Sequence, residues 1–205
     1  MPSRIIYYGM MSLDGKDLLE LPKLLSRMHI HRLQELRNNV DAIITDIDYI
    51  KQRNPDFSYV DDSIMKVIID DKADISLDAK ILSQKNVVLA VSKSAPHQKK
   101  ETLSKIPDLK FFVSGEYIVN VSELLSKLSE HKVESVLIEG SKSLARRMLE
   151  RGLINEIYIA ILPVMVGEGE TLLDKKLERD MKLSLEGITQ YGDEVVLHYM
   201  IKYSP

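Results

Sequence analysis

Apolar residues in this chain come in two rhythms, short unbroken runs and stripes at helical spacing. After Arg4, the run Ile-Ile-Tyr-Tyr-Gly-Met-Met11 is β-branched and aromatic with no polar face, which predicts a first strand apolar on both sides. It runs into a polar turn, Ser12-Leu-Asp-Gly-Lys16. From Lys23 to Val40, the residues Leu25, Met28, Leu33, Leu36 and Val40 mark a helix with a charged outer side. Asp41 to Thr45, Met65 to Ile69 and Asn86 to Val91 predict three further strands. Between them, Asp46 to Arg53 reads as a short helix or turn stopped before Pro55. Asp56 to Ser63 reads as polar loop and Asp70 to Asp78 as an acidic loop. Pro96 to Lys105 is a weakly amphipathic helix and Leu109 to Val113 a short strand. Val121, Leu124, Leu125 and Leu128 keep the i, i+3, i+4, i+7 spacing of a helix.

The stretch from Glu134 to Glu150 combines both rhythms. Val136-Leu-Ile138 suits a buried strand that ends at Glu139-Gly140. Ser141-Lys-Ser143 can then open a helix, with serines able to cap its free N–H groups. Leu144, Ala145, Met148 and Leu149 share one face of it, and Gly152 ends it. A long strand follows over Glu156 to Val166, interrupted or bent at Pro163, and Gly167-Glu-Gly-Glu170 turns the chain. Leu183 to Thr189 and Val195 to Tyr203 predict a closing antiparallel pair joined by Tyr191-Gly-Asp-Glu194. Strands alternate with helices for three-quarters of the chain and then follow one another. The expectation is an α/β fold with a mixed, mostly parallel sheet covered by helices and extended by an antiparallel edge. No repeat, low-complexity segment or splitting linker is visible in the 205 residues, so a single domain is expected.

Composition narrows the chemistry. Cysteine is absent, which removes disulfides, thiolate zinc sites and a cysteine nucleophile, and fits a reducing, cytoplasmic setting. Net charge is −3 with both signs mixed, so the basic face of a nucleic-acid binder is not visible. No stretch approaches the roughly 20 apolar residues of a membrane span. The first strand begins within a few residues of Met1, leaving no room for a signal peptide.

Open α/β sheets bind ligands at the carboxyl ends of their strands. Three strand ends carry suggestive groups: Ser12 to Lys16, Thr45-Asp46, and Glu139 to Ser143. The last has strand–turn–helix form, which presents N–H groups to an anion, and Lys142 adds a positive charge there. Asp14 and Lys16 would stand at a pocket rim, although Asp-Gly is also a common plain turn. Other candidates are weaker. Gly167-x-Gly169 leads to no long helix, and Glu168 and Glu170 would repel phosphate. His29 and His31 point roughly 200° apart on a helix and cannot share a metal. Asp70, Asp71 and Asp74 fit no calcium loop and read as a solvated face. His198 reads as a packed or exposed strand residue, and no metal site is expected.

In order and spacing these landmarks resemble a known family. They are Met-Ser-Leu-Asp-Gly-Lys16, Leu36 to Ile44 with Asn54-Pro55, Val136-Leu-Ile-Glu-Gly140, Gly152 to Tyr158 with Pro163 to Gly167, and Gly192 to Tyr199. The pattern, from about Arg4 to Tyr203, is similar to the reductase domain of riboflavin biosynthesis, which has the dihydrofolate-reductase-like three-layer fold with helices on both faces of the sheet. The resemblance implies a single reductase-like domain that uses NADPH to reduce the ribose of a phosphoribosylaminopyrimidine to a ribityl chain, and a homodimer. Position by position it puts Ser12, Asp14 and Lys16 in the substrate-side turn. Thr45, Asp46, Tyr49 and Arg53 fall in the cofactor turn, and Glu139, Gly140, Ser141, Lys142 and Ser143 at the loop under the cofactor phosphates.

The departures from the family pattern cluster at the cofactor turns. Asp46 stands where a glycine is usual and Tyr49 where a threonine is. A glycine-rich loop has become Glu139-Gly-Ser-Lys-Ser143, Tyr8 replaces an asparagine and Met10 a small residue. Two other readings therefore stand beside the reductase: a reductase-fold binding or regulatory protein with impaired catalysis, and a reductase for another small carbonyl or imine.

Overall fold

Three short apolar runs of the sequence become the three most deeply buried strands. β2 (Ala42–Asp46), β3 (Met65–Ile69) and β4 (Val87–Val91) contain no residue that is not buried. A strand covered on both sides has no solvent face, so the runs do not alternate, and their few polar members, Thr45, Asp46 and Lys66, are buried with the rest. The computed structural model describes residues 1–18, 27–173, 175–178 and 180–203. They fall into two compact units, divided within helix α1 (Arg27–Asn38). The first unit is Met1–Ser3 with Leu36–Ser141, and the second is Arg4–Glu35 with the chain from Lys142 onward.

The first unit is a five-stranded parallel arrangement in the order β5-β4-β3-β2-β6, with β5 at Lys110–Val113 and β6 at Ser135–Ile138. Its helices are α2 (Ile47–Arg53), α3 (His97–Leu103) and α4 (Val121–Glu130). Asn120 caps α4 by accepting from the N–H groups of Ser122 and Glu123, and its buried stripe is Val121, Leu124, Leu125 and Leu128. Each such aliphatic side chain contributes about 1.5–3 kcal/mol when fully buried. Parallel pairing fixes the site: with Ile44 opposite Ile138, the carboxyl ends of β2 and β6 lie side by side.

The second unit has the order β1-β7-β9-β8, with β1 at Arg4–Ser12, β7 at Glu156–Leu162, β8 at Lys182–Tyr191 and β9 at Glu194–Lys202. β1 and β7 are parallel, and the other two pairings are antiparallel. Gly192, at φ +59°, makes the tight turn between β8 and β9. Helix α5 (Lys142–Glu150) buries Leu144, Ala145, Met148 and Leu149, the face read from the sequence. The chain is thus mixed α/β, mostly parallel, with an antiparallel edge.

Three expectations change, and one lies outside the described residues. β7 does not resume after Pro163; it stops at Leu162, because proline has no N–H for a ladder. The predicted helix start at 23–26 lies outside the described residues, and α1 is described from Arg27. The 56–63 loop is not polar throughout, since Phe57 is fully buried beneath the Arg37 guanidinium. Asp70 and Asp71 are not a solvated face. Asp70 is buried and accepts the Ile75 N–H at 2.8 Å, while Asp71 accepts the Val119 N–H at 2.7 Å. Both carboxylates bind their own backbone, and Asp74 pairs with Lys99. Among the described residues, no helix is long and apolar enough to cross a membrane, and no cluster of three His, Cys, Asp or Glu is placed to hold a metal ion.

Candidate functional site

In the first unit, the ends of β2 and β6 meet through Asp46. Its backbone is extended at φ −134°, ψ 167°, and its carboxylate caps α2 by accepting the Tyr49 N–H at 3.2 Å. The same carboxylate accepts the Ser141 N–H at 2.9 Å and the Ser141 hydroxyl. Asp46 is buried, and burial pushes its pKa up against the pull of these donors. Thr45, just before it, is also buried, and its hydroxyl has no hydrogen-bond partner among the described residues.

Glu139 sits at the end of β6, 4% exposed, and is filled by its own chain. Arg37 donates to it in a fork at 2.8 and 2.5 Å, and the Tyr49 hydroxyl donates at 3.0 Å. Burial pulls the Arg37 pKa down, but the charge and the hydrogen bonds of Glu139 together outweigh it and the net shift is upward. Tyr49 is pushed up by burial first and by Glu139 second. Gly140 is buried, Arg53 is half-buried in the last turn of α2, and Ser143 is exposed.

In the second unit, the 12–17 turn is fastened to the 164–171 segment. Ser12 is buried, and its hydroxyl accepts the Lys16 N–H at 2.8 Å. Gly15 takes the left-handed conformation, φ +77°, that the turn needs. Leu13 donates to the Val164 carbonyl at 2.9 Å and Asp17 to the Glu170 carbonyl at 2.8 Å, while Lys16 bridges Thr171. The Asp14 carboxylate accepts the Val166 and Gly167 N–H groups at 3.1 and 2.8 Å. The Ser12 hydroxyl and these two amides lower its pKa to about 2. Its contribution to loop order is therefore complete above the ordinary value near 3.8 and is lost as pH falls through about 2. A carboxyl-carbon NMR titration should give Asp14 a midpoint near 2; a midpoint near 3.8 would mean the two amides are not held.

Lys142, the first residue of α5, is committed already. Its ammonium lies 3.1 Å from the Asp17 carboxylate, whose side chain is 2% exposed, and 2.5 Å from that of Glu170, which is 75% exposed. A cavity of about 660 Å³ beside Gly15 is lined by Thr171, Leu172, Lys175, Lys176 and Asp180, among others.

The structure thus joins Asp46, Tyr49, Glu139 and Ser141 in one network of the first unit, and Ser12, Asp14 and Lys16 in one turn of the second. Sequence reasoning missed Arg37 and Asp17, the partners that neutralise Glu139 and Lys142. It also missed a buried polar set. Tyr8 lies 3.3 Å from His29, His29 lies 3.6 Å from Glu194, and the Arg32 guanidinium stacks on Tyr158 and Tyr191. His29 and Arg32 are buried in α1, although the apolar stripe read from the sequence put the charged residues of that helix on its outer side. His198 is packed against Tyr158, with its Nε2 3.2 Å from Glu156.

Comparison with known proteins supplies the family. A model of the RibD C-terminal domain matches residues 4–197. The 2,5-diamino-6-ribosylamino-4(3H)-pyrimidinone 5′-phosphate reductase of Methanothermobacter thermautotrophicus is 27% identical, over 97% of this chain and 98% of the relative. The protein of the same name from Aquifex aeolicus is 28% identical, over 96% of each. Among solved structures, a pyrimidine reductase-like protein from Corynebacterium diphtheriae matches with TM-score 0.85 and 14% identity, covering 98% of this chain and 93% of that one. A dihydrofolate reductase from Enterococcus faecalis complexed with NADP(H) matches with TM-score 0.55 and 10% identity, covering 99% of each. The dihydrofolate-reductase-like fold expected from the sequence is therefore the fold observed.

Proposed function

The chain belongs to the RibD C-terminal domain family, and on that footing we propose that all of it works as one reductase domain of riboflavin biosynthesis. The reaction is reduction of the ribose of a 2,5-diamino-6-ribosylamino-4(3H)-pyrimidinone 5′-phosphate to a ribityl chain, with NADPH as reductant. The observation that carries this reading is the family match over residues 4–197, with relatives of that name aligned along almost their whole length. The same setting makes the protein cytoplasmic.

Ser12, Asp14 and Lys16 form the substrate side. With its pKa near 2, Asp14 is ionised at neutral pH; it accepts hydrogen bonds and fixes the loop but has no proton to give. Lys16 brings a positive charge to the same turn. Thr45, Asp46, Tyr49, Arg53, Glu139, Gly140, Ser141 and Ser143 form the cofactor side; Lys142, which the resemblance also puts there, is committed to Asp17 and Glu170 instead. The phosphates of NADPH do not fit that turn as it stands. The Ser141 N–H and hydroxyl already serve Asp46, Glu139 is filled by Arg37 and Tyr49, and Lys142 is matched by Asp17 and Glu170.

The test is NADPH oxidation by the purified chain with the phosphoribosylaminopyrimidine, checked by mass spectrometry for a product two hydrogens heavier. Turnover supports the reading; no product at saturating substrate removes it. Occupation of the cofactor turn by Asp46 favours a second reading, a binding or regulatory protein with impaired catalysis, and turnover at an ordinary rate would dismiss it. No observation favours a different carbonyl or imine substrate, because Tyr8 and Met10 are buried and Tyr8 is engaged with His29.

A homodimer also belongs to this proposal. β8 ends the strand order and exposes Leu183, Leu185 and Ile188, and a second copy pairing the same edge would close it. Sedimentation of Ile188→Asp should then show a monomer; a wild-type monomer would refute the dimer.

A further inference from the structure

The Asp46 carboxylate accepts the hydrogen bonds that an anion at this turn would need. A strand–turn–helix connection ordinarily offers its free N–H groups to phosphate. Here the offer is taken up from inside. One carboxylate, 7% exposed, receives the Tyr49 N–H at 3.2 Å, the Ser141 N–H at 2.9 Å and the Ser141 hydroxyl. These donors come from two connections, the β2–α2 turn and the β6–α5 turn. Parallel register holds the two together, because Ile44 faces Ile138 and the Glu139 N–H donates to the Ile44 carbonyl at 2.9 Å. The carboxylate is thus not a surface group that swings away freely. It ties two loops together while carrying the charge that a phosphate would carry.

We infer that Asp46 is a built-in occupant of this anion-binding turn, and that a phosphorylated dinucleotide binds the chain only by displacing it. The inference rests on the reductase reading for the identity of the incoming ligand, but not for the occupancy. Two effects oppose the ligand. The donors must be given up by one anion before they serve another, and until then the Asp46 charge repels the phosphate. Charge-assisted hydrogen bonds are the strong ones, so releasing them should be worth roughly tenfold or more in affinity.

The experiment is calorimetric titration of NADPH into the full chain and into Asp46→Asn and Asp46→Gly, with inorganic pyrophosphate as a competing probe. Asn is as good a helix N-cap as Asp and Gly is only slightly worse, so both variants should fold, as melting curves will check. Asp46→Asn removes the charge, and Asp46→Gly removes the whole group. Both should bind NADPH at least about tenfold tighter than the unaltered chain, and pyrophosphate should compete more strongly in both. Reduced nicotinamide riboside, which carries no phosphate, should bind all three alike. NADPH affinities within about threefold of the unaltered chain, or weaker, would overturn the inference, and so would the absence of binding in every form. Failure here is distinct from failure of the reductase reading. A binding gain without turnover would remove the reductase and keep the occupant. Turnover without a binding gain would do the reverse.

Discussion

Arg37→Met should lower the unfolding free energy by about 3–5 kcal/mol, the loss typical when one partner of a buried ion pair is removed. Glu139 is 4% exposed, and Arg37 supplies two of the donors that keep it there. Without them, the carboxylate would keep, among the described residues, only the Tyr49 hydroxyl, a neutral donor at 3.0 Å. The Phe57 ring would also lose the guanidinium that lies 4.7 Å over it, worth about 0.5–2 kcal/mol. The charge, not the volume, dominates the loss. Arg37→Met combined with Glu139→Met should therefore recover a large part of what Arg37→Met loses, since no unmatched charge remains. Urea unfolding of the two single variants and the double variant reads this directly. A loss below about 1 kcal/mol for Arg37→Met would mean that the pair is solvated and behaves as a surface ion pair.

That pair also marks where the sequence stops being legible. The strands were readable because an unbroken run such as Asp41-Ala-Ile-Ile-Thr45 suits only a sheet position covered on both sides. α4 and α5 were readable because each keeps a single apolar stripe beside a polar face. Arg37 and Glu139 are 102 residues apart, and nothing in either neighbourhood names the other. The same holds for Asp46 and Ser141, 95 residues apart. Sequence showed that both strand ends carry polar groups. It did not show that those groups satisfy each other, because pairing depends on the register of β2 against β6. Phe57 was hidden for a related reason. Phe57, Tyr59 and Val60 stand among Asp, Ser and Asn with no regular period, and only the tertiary fold buries Phe57 and Val60 while leaving Tyr59 exposed. Asp70 and Asp71 looked solvated because charge is a good average predictor of exposure. Asp70 is consumed by the Ile75 N–H of its own loop, and Asp71 by the Val119 N–H 48 residues further on.

Lys142→Met should cost about 3 kcal/mol of stability while leaving nucleotide affinity nearly unchanged. Its ammonium lies 3.1 Å from Asp17, whose side chain is 2% exposed, so its removal strands a buried carboxylate. The second partner, Glu170, is 75% exposed, and Glu170→Gln should cost less than about 1 kcal/mol. Burial pulls the Lys142 pKa down, but the bonds to Glu170 and Asp17 win and the net shift is upward. The stabilisation is therefore complete below the ordinary lysine value of about 10.4 and is lost only as pH rises past it. Across neutral pH the cost of Lys142→Met should be flat. The binding arm decides what the lysine is for. A lysine held free for a phosphate would contribute about 1.5–3 kcal/mol, and its loss would weaken NADPH roughly 10- to 150-fold. A lysine already matched by two carboxylates should change that affinity by less than about threefold, measured in the Asp46→Asn background where binding is tightest. Loss of affinity on the larger scale, with stability intact, would return Lys142 to the cofactor and make Asp17 and Glu170 its resting partners.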